Sequence, residues 1–160
     1  MTPQPPYFQL GSARLYQPDA ELSARLPAGT AELAAYIKTL VWVCTEFFDH
    51  YARPTPAFGN LGLLIAAGFK PGGRVRVWCD VVDGSLPVEV QATLEDLLNG
   101  AGSNVRPQVT APVAVALEGK LGAGPAIPFP EVPTLWQSTA ARAERRLRIP
   151  DDLFLEVFPD

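Results

Sequence analysis

From Thr30 to Tyr51 the apolar residues Leu33, Ile37, Leu40, Val41, Cys44, Phe47, Phe48 and Tyr51 recur at three- and four-residue spacing. That spacing sets one stripe of a helix against a core, so it predicts a long amphipathic helix over 30–52. Arg53-Pro54-Thr55-Pro56 ends it, because proline removes an amide donor and pushes its predecessor out of helical geometry. Two short apolar runs follow, Leu61–Phe69 and Arg74–Val82, joined by Lys70-Pro71-Gly72-Gly73. Proline second and glycine third suit a type II turn, which predicts an antiparallel hairpin. Val75, Val77, Cys79 and Val81 would share one face of its second strand, with Arg76, Trp78 and Asp80 on the other.

Asp83-Gly84-Ser85 turns the chain into Leu86–Leu98, where Val90, Leu94, Leu97 and Leu98 form a second helical stripe that stops near Gly100. Pro112–Leu121 then alternates Val113, Val115, Leu117 and Leu121 against Ala114, Ala116, Glu118 and Lys120, the signature of a strand. The flanks are less patterned. Residues 1–29 hold a proline-rich start, an apolar stretch Tyr7–Tyr16 broken at Gly11-Ser12, and a short helix opened by Asp19 as N-cap. Residues 122–160 carry prolines at 125, 128, 130 and 133 and read as an extended segment covering a sheet edge. A helix around Ser138–Leu147 and an edge strand over Asp151–Phe158 complete the expectation. The architecture predicted is a single α+β domain, an antiparallel sheet of about four or five strands with helices packed mainly on one face.

Composition narrows the function. At 160 residues the chain is long enough to bury a core without disulfide or metal staples. A net charge of −4 and a pI near 5.0 exclude a general nucleic-acid binder, which needs clustered Lys and Arg to neutralise phosphates. The short basic run Arg142, Arg145, Arg146 and Arg148 lies among Glu144, Asp151 and Asp152 and reads as a solvated helix face. Leu61–Phe69, the longest apolar run, is nine residues, far below the roughly 20 that a membrane helix requires. Met1–Leu10 has neither a basic start nor an apolar stretch of leader length, so the expected location is the cytoplasm.

Reactive residues are sparse. Cys44 and Cys79 belong to no CxxC pattern and are expected as buried free thiols. His50 follows Glu46 by four residues, but no second histidine joins them, and six residues of helix separate His50 from Cys44. The glycines make neither GxGxxG nor a phosphate-binding loop ending in Lys-Ser/Thr. The expectation is no metal, no cofactor and no assembled catalytic set. A small enzyme using Glu46, Asp49, Asp80 or Asp83, with or without His50, is the runner-up. It requires a concave pocket holding at least two of those carboxylates.

Aromatics on polar faces supply the positive signal. Trp42 falls almost opposite the centre of the Leu33–Tyr51 stripe, beside Lys38, Glu46 and Asp49. Trp78 repeats the theme between Arg76 and Asp80. The ordinary explanation is that other parts of the chain pack over both rings. The alternative is that these rings mark partner-binding surface, which makes Trp42, Glu46 and Asp49 on the helix and Trp78, Arg76 and Asp80 on the strand the binding candidates, since tryptophan is enriched at interface hot spots.

The order β-β-α-β over Leu61–Leu121, with Lys70-Pro71-Gly72-Gly73-Arg74 at the hairpin and Asp83-Gly84-Ser85 before the helix, resembles the C-terminal module of TonB-type energy transducers. The resemblance covers about a third of the chain and implies a small protein-binding scaffold. Transducers of that family carry an N-terminal membrane anchor and a proline-rich spacer that have no counterpart here, which leaves an anchorless envelope module as a third reading. The preferred expectation is a non-enzymatic binding protein, in its narrowest form a bacterial immunity or antitoxin-like protein that occludes a cognate toxin.

Overall fold

A computed structural model describes residues 8–52, 61–101, 106–122 and 129. In chain order these form β1 (Phe8–Leu15), α1 (Asp19–Arg25), α2 (Ala31–Ala52), β2 (Leu61–Lys70), β3 (Arg74–Val82), α3 (Val88–Gly100) and β4 (Val113–Leu121). The strands make one antiparallel sheet in the order β1-β4-β2-β3. The α+β architecture expected from the periodicities is therefore the one observed, with four strands among the described residues. The expected C-terminal helix and edge strand, and the proline-rich segment apart from Gly122 and Phe129, lie outside the described residues.

The hairpin β2–β3 pairs from Gly62↔Val82 to Lys70↔Arg74, which leaves Pro71-Gly72-Gly73 as its loop. Gly72 and Gly73 have φ of 92° and 73°, a region that costs a side-chain-bearing residue about 1–2 kcal/mol, so the two glycines set the turn. β4 returns to pair with β2 and places β2 at the centre, where its residues are buried on both faces. One face carries Leu61, Leu63, Ile65, Ala67 and Phe69, joined by Val77, Cys79, Val113, Val115, Leu117 and Leu121. The helices pack there. Leu33, Tyr36, Leu40, Cys44, Phe47 and Phe48 of α2 complete the core with Leu94 and Leu98 of α3 and Leu22 and Leu26 of α1. Tyr36 meets Phe69 edge-on at 5.2 Å, and Phe8 stacks with Phe48 at 6.2 Å, contacts that fix the two ends of α2 over the sheet.

Three local expectations need correction. Asp19 is the first residue of α1 rather than its cap; Pro18 occupies the N-cap, and no side chain caps the helix. The second helix begins at Val88, not Leu86, because Pro87 in extended geometry delays it. The broken stretch near the N-terminus is a strand whose pairing to β4 shifts between Leu10 and Ser12, so Gly11 is a bulge that interrupts the alternation. At the start of that strand Phe8 packs so closely on Gly119 that a Cβ there would lie 2.3 Å from the ring.

The sheet's edges are treated differently. Among the described residues, β3 is flanked by a polar row on α3 in place of another strand. Asn99 Oδ1 accepts from Val77 N–H at 2.8 Å, and Asn99 Nδ2 donates to Val77 C=O at 3.0 Å. Glu95 Oε1 accepts from Cys79 N–H at 3.1 Å, and Gln91 Nε2 donates to Cys79 C=O at 2.9 Å. At spacing i, i+4, i+8 these side chains occupy one helix face and satisfy backbone groups that an exposed edge would offer to another chain. β1, at the other edge, has Arg14 paired with Glu118 of β4.

Candidate partner-binding surface

The six sequence candidates separate into two groups on opposite sides of the sheet. α2 packs on the core face, so Trp42, Glu46 and Asp49 belong to the helical layer. Trp78 pairs opposite Ala66 on β2, on the sheet face turned away from the core, together with Arg76 and Asp80. The six candidates therefore do not share one face.

Trp78 is 4% exposed. Leu64, Ala66, Ala114 and Ala116 around it are fully buried, and the Arg76 guanidinium lies 5.1 Å from its ring centroid. This is a cation–π contact inside the fold. Trp78 therefore stabilises the sheet from its second face and is withdrawn as an exposed contact residue, and Arg76 serves in part to cover it.

Trp42 is different. It is 64% exposed, the most exposed large aromatic among the described residues. Its ring borders an open groove of about 310 Å³ lined by Trp42, Val43, Glu46, Phe47, His50 and Leu97. Four of those six are apolar. Phe47 forms part of the floor and reaches the core, where it meets Phe48 edge-on at 5.1 Å. Leu97, on α3, is 49% exposed although it falls in the sequence stripe. At about 100° per residue, the polar row Gln91, Glu95 and Asn99 lies on one shoulder of the Leu94–Leu98 stripe and Leu97 on the other. Turning the polar row to the β3 edge leaves Leu97 outside the core and beside Trp42. Sequence reading missed this coupling, yet the four-residue spacing of Gln91, Glu95 and Asn99 was its signal.

The groove holds little that performs chemistry. Of Glu46, Asp49, Asp80 and Asp83, Glu46 alone lines it, and none of the four lines a concavity of about 330 Å³ between Gln9–Ser12 and Glu118–Lys120. Among the described residues no group of three or more His, Cys, Asp or Glu is placed to hold a metal ion. Both cysteines are buried free thiols. Burial pushes Cys44 up to about 12 and raises Cys79 well above its ordinary value, with Cys44, Glu95 and Asp80 adding to the latter. Neither is a thiolate at neutral pH, so neither is a nucleophile. No described helix is long and apolar enough to cross a membrane. Comparison with protein-family models, curated proteins and solved structures found no match, so the site's own geometry carries the functional reading.

Proposed function

We propose that this chain is a non-enzymatic protein-binding domain that seats its partner in the groove between α2 and α3, with Trp42 as the anchor. The observation that carries the reading is the position of Trp42, exposed beside Leu97 above an apolar floor. Covering an aromatic ring removes about 150–250 Å² from water, and hot spots are enriched in tryptophan at the centre of apolar patches. A net charge of −4 favours a protein over a nucleic-acid partner. A narrower form is a cytoplasmic immunity or antitoxin-like protein that occludes a toxin, which predicts that the captured partner harms cells when produced alone.

The test is affinity capture from the native cells with wild type, Trp42→Phe and Trp42→Ala. The expected result is one abundant partner held by wild type, retained in part by Trp42→Phe and lost from Trp42→Ala, since truncating a central anchor costs about 2 kcal/mol or more. Urea unfolding of Trp42→Ala should stay within about 0.5 kcal/mol of wild type, as for other exposed positions, which separates lost binding from lost folding. An identical set of captured proteins for wild type and Trp42→Ala contradicts the reading.

A further inference from the structure

The stretch of α2 centred on Trp42 is close to symmetric about the ring. Lys38-Thr39-Leu40-Val41 precedes it and Val43-Cys44-Thr45-Glu46 follows it, so valine matches valine, threonine matches threonine, and buried Leu40 matches buried Cys44. At the two ends exposed Lys38 matches exposed Glu46, a cation against a carboxylate. Eight residues of helix, about 12 Å, keep these two charges from pairing with each other, and neither joins an ion pair among the described residues. A two-fold axis through Trp42 and perpendicular to α2 would set a second helix antiparallel to the first and bring each Lys38 against the other copy's Glu46. Given the binding role just proposed for the Trp42 face, on which this depends, we infer that its partner is a second copy of the chain, docked antiparallel along α2 with Trp42 at the two-fold axis.

The rest of α2 fits that register. Val41 faces the second copy's Val43, Thr39 its Thr45, Asp49 its Ala35 and His50 its Ala34, so no like charges of the two helices are opposed. The threonine hydroxyls are already bound, Thr39 Oγ1 donating to Ala35 C=O at 3.0 Å and Thr45 Oγ1 to Val41 C=O at 2.8 Å, so covering them strands no donor. Trp42 at the axis and Leu97 beside it supply exposed apolar surface to remove from water. The net charge of −4 on each copy opposes approach only weakly, because salt at 0.1 M screens charges more than about 10 Å apart, whereas Lys38 and Glu46 meet at contact. A chain that occludes a toxin through Trp42 needs this face free, so the oligomeric state separates the two partners.

Sedimentation velocity of the purified full chain, at concentrations up to about 100 μM, tests this on wild type, Trp42→Ala, Lys38→Glu and Glu46→Lys. Wild type should pass from monomer to dimer as concentration rises and stop there, because a two-fold contact closes on itself. Trp42→Ala should weaken the dimer about thirtyfold or more. Each charge variant should weaken it about tenfold, since both ion pairs become like-charge contacts. An equimolar mixture of Lys38→Glu with Glu46→Lys should associate more tightly than either variant alone, because every contact then joins opposite charges, and high salt should shrink that gain. Where wild type is monomeric, all three variants should unfold close to its urea midpoint, so that a lost dimer is not a lost fold. A wild type that stays monomeric, or a dimer that Trp42→Ala leaves intact, overturns the second copy as partner, while the capture experiment judges the binding role independently. A mixture no tighter than its separate components overturns the antiparallel register.

Discussion

Tyr36 shows how a single side chain serves the fold at a cost. Its ring is fully buried against Phe69, and its hydroxyl has no hydrogen-bond partner among the described residues. A buried hydroxyl without a partner costs about 1–3 kcal/mol, so Tyr36→Phe should stabilise the protein by about 1 kcal/mol in urea unfolding. Burial also lifts the Tyr36 hydroxyl from 10.0 to about 12, opposed by Arg106, and the Cys44 thiol from 9.0 to about 12. Each group binds its proton more tightly folded than unfolded. Their contribution is fully present below the unfolded values and is lost as pH rises through the folded ones. Unfolding measured between about pH 8 and 12 should show falling stability, with a shallower fall in Tyr36→Phe and in Cys44→Ala. Equal slopes in all three proteins contradict the assignment. Tyr36 was absent from the stripe read in the sequence, because a tyrosine among Ala35, Ile37 and Lys38 gives no sign of which shoulder of the helix the sheet will cover.

At the level of elements, periodicity was legible wherever one side of a segment faces one environment. α2, the β2–β3 hairpin and β4 have regular spacing and lie within a residue or two of their expected bounds. β1 escaped because the bulge at Gly11 breaks its alternation and Phe8 is its one fully buried residue. α3 was found, but its function as an edge cap was not, since its polar row answers backbone groups of another element that no local pattern displays. That cap predicts a specific failure. Asn99→Ala removes both partners of Val77 and should cost about 1–3 kcal/mol in urea unfolding. It should also raise self-association in sedimentation velocity by freeing part of the β3 edge. Loss of stability without association would mean that the edge remains protected without Asn99.

For the whole molecule, the sheet divides two tryptophans that look equivalent in sequence. Both sit among charged residues, yet Trp78 is enclosed on one side of the sheet while Trp42 stands in the open on the other. Alternation places a side chain on a face, whereas the covering of that face depends on segments distant in sequence, so the site was half legible. What remains is a largely apolar groove bordered by Trp42, built from α2 and from a helix rotated to cap β3. The most direct test replaces Leu97 by a photocrosslinking phenylalanine derivative in the native cells, with exposed Arg74 at the hairpin as the control position. A discrete adduct from position 97, absent from position 74 and abolished by Trp42→Ala, is the predicted result. No adduct at position 97, or the same adducts from both positions, would contradict a partner seated in this groove.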